Sequence, residues 1–98
     1  MSKQATKRLE AEQERQQLLD EMLAEYGPHW ADQYKPGSFG CHELLDRTAL
    51  VADTVEQYVL SHPACIQHQD WFALAEQAVT ALRELYQRIG AEHLEDKQ

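Results

Sequence analysis

The chain has 98 residues, a length that fits one domain with a modest core. Hydrophobic residues make up 43% of the sequence and charged residues 27%, a globular composition that excludes a largely disordered chain. The formal net charge of −8 repels nucleic-acid phosphate and anionic lipid, so we expect no direct binding of nucleic acid and no attachment to membranes.

Two cysteines, Cys41 and Cys65, are too few for a disulfide scaffold, and each falls beside or within an apolar pattern. The N-terminal residues lack the apolar stretch of a secretory signal. No segment approaches the roughly 18 apolar residues of a membrane span. These features favour a reducing compartment, and we expect a cytoplasmic protein.

The first predicted element is one long helix over residues 2–26, where glycine and proline are absent and good helix formers dominate. Ser2 is suited to cap its start, and Gly27 followed by Pro28 is typical of its end. Apolar side chains concentrate in the second half, which we expect to pack on the core. Residues 1–17 are therefore interpreted as a projecting arm.

A thin apolar stripe along this helix predicts an interaction arm. It suits a helix–helix contact, either in a homodimer or with a target helix. Its members are Ala5, Leu9, Leu19 and Tyr26.

Residues 27–38 follow as an ordered loop, because two prolines and two glycines interrupt any helical pattern. A connection of this length is long for a compact helical domain. Trp30 and Tyr34 are its predicted anchors, which fold back to cap the core. Alternatively, the two rings line the mouth of a pocket.

Two further helices are predicted, over residues 39–60 and 71–89, because apolar residues recur at spacings of three and four in both. Ser38 is suited to cap the first, Pro63 to end it and Gly90 to close the second. The predicted core faces include Leu44 and Val51 on the first helix and Leu85 on the second, and Trp71 is also assigned to the core.

The predicted fold is all-α. We expect the two later helices to pair antiparallel, with the second half of the long N-terminal helix across them. This arrangement is a three-helix core over residues 18–94 of a single helical domain, residues 1–98.

The most conspicuous polar cluster opens the second helix, where His42 and Asp46 are four apart and Asp53 lies two turns farther on. Imidazole with carboxylates on one stripe suits zinc, manganese or iron, so one hypothesis is a divalent-metal site built on these three residues. The alternative is a structural network, in which Glu43 pairs with Arg47 and the segment ties down the preceding loop.

Arg88 and His93 have the spacing Arg-x-x-x-x-His, which resembles the motif of HEPN-type helical ribonucleases. The resemblance covers six residues and implies cleavage of a phosphodiester. Gly90 is expected to interrupt the helix between them, and the acidic surface disfavours RNA, so we do not expect this activity.

A second resemblance is carried by residues 38–47, which include the GCHExLDR-like segment, by Ser61-His62-Pro63, by Trp71 and Leu74-Ala75, and by residues 85–90. Together they resemble small bacterial and phage helical proteins to which no activity is assigned. The resemblance spans residues 38–94. It implies a bacterial or phage source and no particular chemistry.

No complete catalytic set is legible, so we expect a non-enzymatic protein that acts by binding a protein partner or a second copy of itself. A metal-dependent site on the second helix is the first alternative, and a divalent metal would then be the cofactor. The other alternative is an acidic inhibitor that mimics nucleic acid, with carboxylates clustered on one face.

Overall fold

The computed structural model describes residues 2–95, so Met1 and residues 96–98 of the predicted domain lie outside the described residues. Residues 2–95 are 86% helical and contain no strand, which confirms the all-α prediction. They divide into two compact units, and the division falls between Asp32 and Gln33. The packing of residues 18–26 on the later helices stays a prediction.

In the first unit, α1 spans Lys3–Tyr26 and begins and ends where the sequence predicts. The Ser2 hydroxyl accepts a hydrogen bond from the Ala5 amide at 3.1 Å and caps the helix. Gly27 ends the helix with a φ of 89°, a backbone conformation that glycine adopts without steric cost. Its amide donates to the Leu23 carbonyl, and no residue of α1 is buried.

The predicted loop is ordered and contains a 3₁₀ helix at Trp30–Gln33. Trp30, in the first unit, is half-buried. In the second unit, the ring of Tyr34 lies so close to Gly40 that a Cβ there would meet it at 2.5 Å. Half of Tyr34 stays exposed, so it anchors the turn before the next helix without entering the core.

In the second unit, α2 spans Phe39–Val55 and continues into a π-helical turn at Glu56–Leu60, so helical structure ends where predicted. Ser38 caps its start by accepting a hydrogen bond from an amide in the first turn. A four-residue helix, α3, follows at Pro63–Ile66. Its proline is the first residue of the helix, a position whose amide has no hydrogen-bond partner within the helix, so the amide hydrogen that proline lacks is not missed.

The last helix, α4, spans Gln69–Glu95 and is longer than predicted at both ends. The prediction that Gly90 closes this helix is wrong. A glycine inside a helix costs about 1 kcal/mol relative to alanine. Beyond Gly90, however, α4 continues the face that packs on α2, and His93 there is fully buried. The free energy gained by packing this part of α4 on α2 outweighs the cost of one glycine inside the helix.

α2 and α4 pair as an antiparallel hairpin, as predicted. A Cβ at Gly90 would touch Leu45, whereas Asp53, later on α2, contacts Arg83, earlier on α4. Buried and half-buried residues recur at spacings of three, four and seven on both helices, a pattern typical of paired helices. We call them the seam: Cys41, Leu45, Thr48, Ala52 and Val55 on α2, and Phe72, Ala75, Val79, Leu82, Ile89 and His93 on α4.

The core of this hairpin is small. Its buried hydrophobic residues are Cys41, Leu45, Ala52 and Val79, and its buried polar residues are Thr48 and His93. Many larger apolar side chains of α2 and α4 stay exposed. The hairpin therefore covers only one stripe of each helix.

Candidate interaction surface

The three residues predicted as a metal site lie on one side of α2, but they do not converge. His42 Nε2 lies 3.4 Å from Asp46 Oδ2, in an exposed pair one helical turn apart. Asp53 is a further seven residues along the helix, about 10 Å of axial rise beyond Asp46 and beyond the reach of one ion. Within residues 2–95, no group of three or more His, Cys, Asp or Glu side chains could hold a metal ion.

Asp53 instead binds an arginine of the opposite helix. Arg83 Nη1 lies 2.9 Å from Asp53 Oδ1, and its Nη2 lies 3.2 Å from Glu56 Oε2. Hydrogen bonds to Asp53 and then to Glu56 raise the Arg83 pKa above its usual value. The pairs are largely exposed, so they contribute little to stability. They show which sides of α2 and α4 lie next to each other.

The predicted structural network is present in part. Arg47 and Glu43 form the expected ion pair, with nitrogen and oxygen 3.5 Å apart and both side chains exposed. The turn before α2, however, is held by a residue from the far end of α4. His93 Nδ1 accepts a hydrogen bond from the Gly37 amide at 2.9 Å, and the His93 and His42 rings lie 5.4 Å apart.

His93 is only 1% exposed, and its second ring nitrogen, Nε2, is buried without a hydrogen-bond partner. Because Nδ1 accepts from Gly37, the neutral ring carries its proton on Nε2. His93 therefore holds the turn before α2 in place.

The ribonuclease-like spacing does not produce a site either. The helix runs through Gly90, contrary to expectation, so Arg88 and His93 share one continuous element. Arg88 is engaged with Glu84 at 2.8 Å and is exposed, whereas His93 is buried. The two side chains therefore lie in different environments, one in solvent and one in the core.

Helix geometry divides the remaining surface of the hairpin into two sides. In each helix, the residue before a seam residue and the residue after it are turned about 100° from the seam in opposite directions. Because the helices are antiparallel, the preceding residues of both share one side of the hairpin and the following residues share the other. The contact between Asp53 and Arg83 confirms this, since each follows a seam residue.

The side formed by the preceding residues is largely apolar, and we call it the hairpin face. Its charged members, Arg47, Arg88 and Glu92, lie toward the end remote from α3. The rest of the face is uncharged, and its large side chains are 45% to 65% exposed. They are Leu44 and Val51 on α2, Tyr58 in the π-helical turn that follows it, and Trp71, Leu74 and Leu85 on α4. Tyr58 and Leu85 do not precede a seam residue, but each lies seven residues, about two helical turns, beyond a residue of this side, Val51 and Ala78.

One end of the hairpin face forms a groove of about 580 Å³ beside α3. Tyr58, Trp71, Leu74 and Cys65 are among its lining residues. The Trp71 ring stacks on His68 with ring centroids 3.7 Å apart, a contact that restrains the indole. Half-exposed aromatic rings held in this way are typical anchors of protein interfaces.

The predicted arm residues lie on α1, in the first unit. Leu9 and Tyr26 are exposed, whereas Ala5 and Leu19 are half-buried. Glu12 falls on the same stripe, and its carboxylate binds Arg15 at 2.6 Å. The stripe of the arm is therefore interrupted by an ion pair and is less suited to binding than the hairpin face.

The sequence pattern predicted one wide apolar face on each helix and did not separate the seam from the hairpin face. It also missed His93, which is a buried seam residue. It placed Leu44, Val51, Leu85 and Trp71 in the core, whereas the structure leaves each about half exposed. The signal that separates them is a second stripe, displaced by one residue from the first. Along α2 and the π-helical turn that follows it, this stripe recurs every seven residues, at 44, 51 and 58.

Comparisons of the chain with protein-family models, with curated proteins and with solved structures found no match. Among residues 2–95, every helix is too short or too polar to cross a membrane. Function is therefore inferred from the hairpin face and from the contacts around it.

Proposed function

We propose that the chain is a non-enzymatic protein-binding module of the cytoplasm that acts through the hairpin face. The observation that supports this is the extent of the exposed apolar surface. Six large side chains, about half exposed, offer on the order of 700 Å², whereas the largest patch on a typical monomeric protein is about 300–600 Å². A larger patch is typical of a site of association.

The chemistry of the face favours a protein partner. Tyr58 and Trp71 supply rigid aromatic area, and the small Ala78 between them and Leu85 leaves room for an apolar side chain to approach. Nucleic acid would meet a chain with a net charge of −8 and an uncharged contact surface. The free thiols of Cys41 and Cys65 suit the reducing conditions of the cytoplasm.

The stripe on α1 has a secondary part in this proposal. Its apolar residues Leu19 and Tyr26 lie C-terminal to the ion pair of Glu12 with Arg15. This half of α1 is suited to a further helix–helix contact, whereas the half before the ion pair offers only Ala5 and Leu9.

Site-specific photo-crosslinking of the full chain in cells tests the proposal. A photoreactive amino acid at Val51 lies on the hairpin face, whereas one at the neighbouring Leu50 is more exposed, at 65% against 46%, but points away from it. Leu74 and Ala73 provide a second matched pair on α4. We expect protein adducts from positions 51 and 74 and few from 50 and 73. Equal yields within each pair, or no adduct at all, would contradict the proposal.

A further inference from the structure

We infer that the partner of the hairpin face is a second copy of this chain, bound face to face so that four helices enclose one apolar core. The inference rests on the proposed function and names its partner. In such a dimer the same surface is used by both copies, so each exposed apolar residue is covered by the equivalent surface of the other copy.

The first argument is the small core of the isolated hairpin. Only four hydrophobic residues, Cys41, Leu45, Ala52 and Val79, are buried between α2 and α4. The second unit, which begins at Gln33, is shorter than the about 80 residues below which a single core rarely supplies enough stability on its own. Burial of the hairpin face by association would add to this small core.

The second argument is the area that the face offers. Its large side chains expose on the order of 700 Å², close to the roughly 800 Å² that each partner contributes to a stable interface of standard size. A second copy brings an equal apolar area to the contact.

The third argument is the distribution of charge. Two copies carry a net charge of −8 each, so they repel unless their acidic groups are kept apart. Asp46 and Asp53 follow seam residues and therefore lie on the opposite side of the hairpin, where Asp53 is bound to Arg83. In the half of the hairpin face next to α3, between Val51 on α2 and Trp71 on α4, no side chain is charged. The acidic surface thus does not oppose contact through this face.

The oligomeric state of the full chain tests the inference directly. Sedimentation equilibrium should give twice the monomer mass of 11.3 kDa, dissociating on dilution. The midpoint of thermal unfolding should rise with protein concentration, because association stabilises the folded state by mass action. A chain that stays at 11.3 kDa at high concentration, with a midpoint independent of concentration, would overturn the inference.

Two pairs of variants locate the interface. Val51→Glu should raise the dimer dissociation constant about 100-fold or more, because apolar contact is lost and a carboxylate is removed from water, whereas Leu50→Glu should change it little. Ala78→Lys and Gln77→Lys form the second pair. Ala78 is exposed on α4 and lysine is a good helix former, so the folded hairpin tolerates this change. A dimer that both face variants leave intact would place the interface elsewhere.

The crosslinking experiment separates this inference from the proposed function. Adducts from position 51 with the mass of two chains would support self-association. A monomeric chain whose position 51 forms adducts with other proteins would contradict the second copy while keeping the protein-binding function. A monomer without adducts would overturn both.

Discussion

The two ring nitrogens of His93 contribute to stability in opposite ways. Nδ1 satisfies the Gly37 amide across 56 residues of sequence, whereas Nε2 is buried and unpaired, which costs about 1–3 kcal/mol. We expect His93→Ala to lower the free energy of unfolding by about 2–3 kcal/mol, from a lost hydrogen bond and a cavity. Asparagine presents an oxygen near the position of Nδ1, so His93→Asn should lose about 1 kcal/mol less.

Urea denaturation at a fixed protein concentration measures the difference between the two variants. The amide resonance of Gly37 serves as the control, because it should stay protected from hydrogen exchange in His93→Asn and lose protection in His93→Ala. Equal destabilisation by alanine and asparagine would show that the bond to Gly37 contributes nothing and that His93 acts by filling space.

A second prediction at the residue scale concerns Glu12 on α1. Hydrogen bonds from Arg15 and then Gln16 lower the pKa of this carboxyl from 4.5 to about 2. A carboxyl with a depressed pKa adds helix stability above about pH 4.5 that is lost as the pH falls toward 2. We expect Arg15→Gln to move the Glu12 pKa back toward 4.5 and Lys3→Gln to leave it unchanged. Titration of the Glu12 side-chain carbon by NMR is the measurement.

At the scale of elements, alanine substitutions at two helical glycines are expected to change the stability of the protein in opposite directions. A Cβ added at Gly90 would lie 3.7 Å from Leu45 Cδ1, an ordinary contact, so Gly90→Ala should stabilise the protein by about 0.5–1 kcal/mol. A Cβ at Gly40 would lie 2.5 Å from the Gln33 carbonyl oxygen, so Gly40→Ala should destabilise by about 1–3 kcal/mol. Thermal unfolding of both variants checks the signs, and a stabilising Gly40→Ala would show that the turn moves away freely.

Both ends of α1 and the start of α2 were predictable, because a local interaction sets each of them. Ser2 and Ser38 cap α1 and α2 through their own hydroxyls, and Gly27 ends α1 in a conformation specific to glycine. The end of α4 was not predictable, because it depends on the burial of His93 against a turn 56 residues away. A glycine by itself carries no information about that distant contact.

For the hairpin face, the sequence predicted that the residues are apolar but not that they are exposed. Leu44, Val51 and Leu85 were recognised as apolar, but a wide apolar stripe does not reveal which part meets the neighbouring helix. The antiparallel pairing decides this, since it turns the residues before the seam to one side and Asp53 and Arg83 to the other. Pairing is a property of two helices together, so neither helix pattern alone contains it.

At the scale of the whole molecule, the acidic charge and the hairpin face act against each other during association. Each copy carries a net charge of −8. The half of the hairpin face next to α3, between Val51 on α2 and Trp71 on α4, is uncharged. Apolar burial therefore drives the copies together, and long-range repulsion between their acidic surfaces opposes it. The balance between the two terms changes with ionic strength, because dissolved salt screens repulsion between separated charges.

This balance predicts the direction of the salt effect. Raising sodium chloride from about 20 to 300 mM shortens the screening length from roughly 20 to 6 Å, so the dimer dissociation constant should fall several-fold. Leu50→Lys, which reduces the net charge away from the hairpin face, should lower the dissociation constant at low salt and reduce its salt dependence. Sedimentation equilibrium across the salt series measures both. If ion pairs between copies held the dimer together, salt would weaken it instead, and the apolar face would not be the source of affinity.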